Sequence, residues 1–87
     1  MKIITSPNFE KQLDKLSDIE AKKIYKKLNE LSTHSENLKI KKLKTRNDYR
    51  LRIGDYRVIF EYTIIENEIF ILLQNVFHRK DAYKKRK

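Results

Sequence analysis

The chain is 87 residues long, enough for one domain spanning residues 1–87, and its 21 Lys and Arg against 12 Asp and Glu give a net charge of +9. It contains no cysteine, which excludes a disulfide framework, a thiolate zinc site and a thiol nucleophile. No apolar run approaches the roughly 20 residues that span a bilayer, and the opening stretch is too short for a secretory signal, so a soluble cytoplasmic protein without membrane association is expected.

Residues 2–5 read as a short strand that stops at Ser6-Pro7. That pair predicts a helix start: Ser caps the free amides, and Pro is tolerated at the first helical position, where its missing N–H had no partner. Phe9, Leu13 and Leu16 then recur at helical spacing. Ser17-Asp18 reads as a second cap, opening a helix that buries Ala21, Ile24, Tyr25, Leu28 and Leu31 and ends in the polar run Ser32-Thr33-His34-Ser35. With so short a join, the two helices are expected to form an antiparallel hairpin. Residues 36–48 are the one sizeable irregular stretch, within which Leu38 to Lys44 nearly alternates apolar and basic residues and suits an extended segment with its lysines outward.

From Tyr49 the apolar period becomes two. Tyr49-Arg50-Leu51-Arg52-Ile53 alternates, Gly54-Asp55 supplies a two-residue turn, and Tyr56 to Tyr62 returns. The sole glycine stands where a positive φ costs little. A second turn near Glu66-Asn67-Glu68 leads into Ile69 to Val76, apolar on both faces and expected as an inner strand. The basic, aromatic stretch from Phe77 to Lys87 completes the chain. The expected fold is α+β: a short strand, an antiparallel helical hairpin, then a three-stranded antiparallel meander, forming one sheet covered on one face by the helices. Phe9, Tyr25, Phe60, Tyr62 and Phe70 are read as core residues.

The charge excess is confined to one part of the sequence. Residues 1–36 hold seven lysines and six acids, whereas residues 37–87 hold fourteen Lys and Arg and six acids. This points to a polyanion-binding face, and composition leaves open whether the ligand is RNA, DNA, acidic lipid or an acidic protein. Arg50 and Arg52, two apart on one strand, project from the same side, with Leu51 and Ile53 on the other. If Gly54 and Asp55 are the two loop residues, Arg52 faces Arg57 and all three arginines share the open face. Like charges set opposite one another are costly. A solvated basic outer surface is the plainer reading of the same pattern.

The helical hairpin after a first strand, the block Tyr49-Arg50-Leu51-Arg52-Ile53-Gly54-Asp55-Tyr56-Arg57-Val58-Ile59-Phe60, and the ending His78-Arg79-Lys80-Asp81-Ala82-Tyr83 together resemble the RelE/ParE toxin superfamily, over almost the whole chain. The resemblance implies the toxin of a type II toxin–antitoxin module, with two activities to choose between on one fold. RelE-like members resemble microbial ribonucleases and cut messenger RNA on the ribosome. ParE-like members inhibit DNA gyrase.

The resemblance implies site residues position by position. Arg50 and Arg52 fall where nuclease members carry basic, substrate-contacting residues, Arg57 and Arg79 on phosphate-contacting arginines, and Tyr83 on an aromatic that stacks or transfers a proton. His78 falls on a position often basic or histidine. Lys42, Lys44, Lys80 and Lys84 are expected to track the RNA. Metal-free RNA cleavage needs a deprotonated 2′-OH, a stabilised phosphorane and a protonated leaving oxygen, and arginine's planar fork suits the second task. Arginine at both strand positions leaves no lysine there to take the proton, so His78 and Tyr83 are the candidates. No cofactor or metal is expected. The implied partners are a cognate antitoxin, the ribosome with its mRNA, and operator DNA reached only through the antitoxin complex. The expected function is a ribosome-dependent endoribonuclease, with a ParE-like gyrase inhibitor as the alternative.

Overall fold

The computed structural model describes residues 2–33, 40–42 and 48–84, with Ala82, Tyr83 and Lys84 described by backbone alone. Its elements in chain order are β1 (Lys2–Thr5), α1 (Pro7–Asp14), α2 (Asp18–Thr33), β2 (Ile40–Lys42), β3 (Tyr49–Ile53), β4 (Tyr56–Ile65), β5 (Glu68–His78) and α3 (Arg79–Lys84). The strands form one sheet in the order β1-β5-β4-β3-β2, with β1 parallel to β5 and the other neighbours antiparallel. The expected meander, β3-β4-β5, is therefore the middle of a five-stranded sheet, with β1 added at one edge and β2 at the other. The basic ending opens as a short helix.

Local chemistry sets the helix starts. Ser6 has extended backbone, its hydroxyl accepts the Phe9 N–H at 3.0 Å, and Pro7 opens α1. Ser17 repeats the device for α2, accepting the Glu20 N–H at 3.2 Å. At the far end of α2 the hydroxyls of Ser32 and Thr33 both bond back to the Asn29 carbonyl, three and four residues earlier in the last turn. No helix among the described residues is long and apolar enough to cross a membrane.

Both longer helices lie on one face of the sheet, α1 against β5 and α2 against β3. Phe9 and Leu13 from α1, and Ile24, Leu28 and Leu31 from α2, close over Leu51, Ile53, Val58, Phe60, Ile71, Leu73 and Val76. Three residues expected in this core lie outside it. The first is the half-buried Phe70, which alternates with the buried Ile71 and so turns to the uncovered face of the sheet. Tyr25 is 54% exposed, because the stripe Ile24–Leu28–Leu31 already fills the contact and Tyr25 sits one helical step to its side. Tyr62 is 41% exposed, because β4 and β5 run well past the end of the shorter β3. Its ring meets Tyr49 and Phe60 edge-on.

The register between β4 and β5 slips by one residue, pairing Ile59 with Asn75 and Phe60 with Leu73. The extra residue lets Asn75 and Val76 both turn toward the helices. Polar side chains of α1 then satisfy the disturbed ladder. Asn75 Oδ1 accepts from Asn8 at 2.6 Å and from Gln12 at 3.3 Å, and Gln12 Oε1 accepts the Val76 N–H at 2.7 Å. Ser6 contributes as well, donating its hydroxyl to the Gln74 carbonyl and its N–H to the Leu73 carbonyl, each at 3.0 Å.

Candidate nucleic-acid interface

The interface begins with burial on the opposite side of the sheet. Leu51 and Val58 are fully buried and Ile53 nearly so. Strand alternation therefore sends Arg50, Arg52 and Arg57 to the face that no helix covers. The turn fixes their pairing. Gly54 takes φ +55°, the left-handed value that suits the first residue of a two-residue hairpin loop, and Ile53 then pairs with Tyr56 and Arg52 with Arg57. Slipping this register by one residue would bury the arginines, so the apolar pattern itself holds the basic face in place.

Arg50, Arg52 and Arg57 line a shallow concavity of about 220 Å³ with Lys41 and Ile40. Lys41 joins because β2 pairs it with Arg50. No carboxylate among the described residues forms an ion pair with any of the three arginines. Glu61 is the one acid of β4 on that face, and it pairs with Leu72, four residues beyond Arg57 or ~13 Å along the strand. Phe77 pairs with Arg57 and adds an aromatic to the same side.

His78 is placed elsewhere. Pure alternation from Ile71 and Leu73 would send it to the arginine face, but the extra residue in β5 reverses the parity, so that Val76 is buried and His78 pairs with Tyr56. Its ring meets the Tyr56 ring edge-on at 5.2 Å on the helix side, and its Nδ1 accepts the Lys80 N–H at 3.1 Å. His78, Tyr56 and Asp55 form one wall of a groove of about 590 Å³, with Lys23, Lys26 and Lys27 of α2 opposite. Burial, reinforced by the negative charges of Glu20, Asp55 and Asp81, pushes the Tyr56 phenol above its ordinary value, so it stays protonated in neutral solution.

Arg79 stands at the end of the sheet as the first residue of α3. Its N–H donates to the Asp55 carbonyl at 2.7 Å and its Nε lies 3.7 Å from Asp55 Oδ1. Lys80 is exposed beside it. Tyr83 and Lys84 belong to α3, and their side chains, like the whole of Lys44, lie outside the described residues. Lys42 pairs with Tyr49 and holds its Nζ 5.8 Å from the centre of that ring, on the helix side. The structure thus gathers Arg50, Arg52 and Arg57, brings Arg79 to the adjoining turn, and sets His78 and Lys42 on the other side. From the sequence, Lys41 is only one of the outward lysines between Leu38 and Lys44, and Phe77 only the start of the basic, aromatic ending. The signal for both was their parity, legible only once the register with β3 and β4 is known.

Solved structures share this architecture. A chain of the RelB–RelE antitoxin–toxin complex from Methanococcus jannaschii superposes with a TM-score of 0.74 at 27% identity, over 97% of this chain and 99% of that one. The RelE–RelB complex from Pyrococcus horikoshii OT3 gives 0.69 at 23% identity, over 90% and 93%. The RelBE2 toxin–antitoxin complex from Mycobacterium tuberculosis gives 0.70 at 18%, over 90% and 96%, and these last two show likeness of fold alone. No curated protein sequence matches. Fold and basic face together define the toxin class of the RelE/ParE superfamily. The model of the family described as the ParE toxin of type II toxin–antitoxin system, parDE, matches residues 3–83, and the chain belongs to that family.

Proposed function

We propose that this toxin is a metal-independent endoribonuclease that cuts messenger RNA on the ribosome and works through the uncovered face of its sheet. The observation that carries the reading is the cluster of Arg50, Arg52 and Arg57, held side by side with no carboxylate partner among the described residues. Three like charges on one small face cost stability, and a phosphate offsets that cost.

In the proposed step the ribose 2′-oxygen attacks the adjacent phosphorus. The new 2′-O–P bond forms, the P–O5′ bond breaks, the 2′-proton passes to a base, and the 5′-oxygen takes up a proton. The product is a cyclic phosphate, which can open to a 3′ phosphate. Arg57 and Arg79 stabilise the charge that builds on the phosphoryl oxygens, while Arg50 and Arg52 hold the flanking backbone. Phe77 offers a ring for a base to stack on. Lys41, Lys80 and Lys84 supply diffuse attraction. With the Nδ1 of His78 engaged by α3 on the helix side, the reading gives proton transfer to Tyr83, on the strength of the resemblance that named it. The partner is a cognate antitoxin, since the solved relatives are toxin–antitoxin complexes, with operator DNA contacted through that complex in the cytoplasm.

A second reading, inhibition of DNA gyrase, is favoured by the match to the ParE toxin family. A pulse of expression followed by primer extension of cellular messages separates the two. Codon-phased cuts are expected, and Arg57→Ala and Arg79→Ala should each reduce cutting by about 10² or more while the protein still folds. Intact messages together with broken DNA would transfer the function to gyrase.

A further inference from the structure

Among the four candidate arginines, Arg79 differs from the others in being ion-paired within the described residues, and its partner is the turn residue Asp55. We propose that Asp55 is a positioning residue that aims Arg79 at the scissile phosphate. The inference rests on the nuclease reading of the arginine face and names a residue that the family resemblance did not single out.

Asp55 holds Arg79 at two points. Its carbonyl accepts the Arg79 N–H at 2.7 Å, fixing where the arginine leaves the main chain. Its carboxylate Oδ1, 3.7 Å from Nε, restrains the far end of a long and flexible stem. Contact through Nε leaves both terminal nitrogens of the guanidinium unused, and those two suit the paired oxygens of a phosphate. The turn that carries Asp55 also joins the two strands bearing Arg52 and Arg57. One peptide loop therefore ties the hairpin's cation pair to the fourth arginine, which stands two residues, ~7 Å, beyond the Phe77 partner of Arg57. On the helix side, the His78 ring against Tyr56 and the Nδ1 cap on Lys80 hold the start of α3 steady, leaving the carboxylate to choose the direction of the side chain.

Both groups of this ion pair are largely exposed, so the pair adds little to stability, and its effect belongs in the rate. The test uses purified toxin on translating ribosomes under single-turnover conditions. Asp55→Asn keeps the turn preference and the main-chain acceptor but removes the charge. It should lower the maximal cleavage rate about tenfold, because a modest misplacement of a positioned group costs rate steeply. The toxin concentration giving half-maximal rate and the melting temperature should stay as they were. In an Arg79→Ala background the same substitution should cost nothing more.

An equal loss in both backgrounds, or no loss in either, overturns the proposal. The nuclease reading is tested separately by Arg57→Ala and Arg79→Ala alone. Should that reading fail, the side-chain Nε–H of Arg79 still decides, by NMR. Its exchange with water should be slower than that of Arg52 in the native protein and should match Arg52 in Asp55→Asn. Equal exchange in the native protein overturns the proposal whatever the activity.

Discussion

Arg52 and Arg57 face one another across β3 and β4 with no carboxylate between them, an arrangement that stability alone disfavours. Replacing Arg52 by Ala should therefore raise the free energy of unfolding by roughly 0.5 kcal/mol while lowering cleavage. Urea denaturation beside a single-turnover assay measures both, and a variant both less stable and fully active would contradict the assignment of this pair to substrate. At this scale the sequence was informative where a residue's direction follows from its immediate neighbours. Arg50, Arg52 and Arg57 are set opposite Leu51, Ile53 and Val58 by alternation within their own strands. Lys41 needed the register of β2 on β3, and Asp55 gained a role only when Arg79 was brought to it from the end of β5.

The join between α1 and the bulged β5 is the element whose chemistry is most concentrated. Ser6 accepts the Phe9 N–H and donates to the Gln74 carbonyl, so it caps a helix and satisfies a disturbed strand at once. Ser6→Ala should cost about 1–2 kcal/mol, at the upper part of the range for a lost cap because the Gln74 carbonyl is stranded along with the Phe9 N–H. Thermal unfolding checks this, and Ser6→Thr should restore most of the loss. The cap could be read from Ser6-Pro7 alone. The bulge could not, because Ile69 to Val76 is apolar almost throughout and carries no alternation whose break would reveal an extra residue. The exposure of Tyr25 and Tyr62 escaped the reading for a similar reason. Aromatic identity favours burial on average, while the end of β3 and the width of the helical stripe decide it here.

Across the whole molecule the net charge of +9 means that, on the proposed function, association with RNA is driven by released counterions. Binding to a single-stranded RNA should weaken linearly on a log–log plot against salt, with a slope set by the number of phosphates neutralised. Removing Arg50, Arg52 and Arg57 together should reduce that slope by about 2, at roughly 0.7 per contact on a single strand. Removing three lysines of α2, namely Lys22, Lys23 and Lys26, should change it far less. Fluorescence anisotropy at several salt concentrations measures this, and an equal reduction by the two triple variants would mean that the arginine face is not the principal RNA contact.

Local periodicity and caps determined the order of β1, α1, α2, β3, β4 and β5, the hairpin at Gly54-Asp55 and the side of the sheet on which three arginines stand, because each depends on residues within a few positions of one another. The tertiary structure decided what they stand beside. It placed β1 parallel to β5, carried Lys41 to Arg50, and delivered Arg79 to the Asp55 turn. It also put His78 across the sheet from Arg57, since a strand's side chains alternate with a strict period of two and one extra residue sends everything after it to the other face.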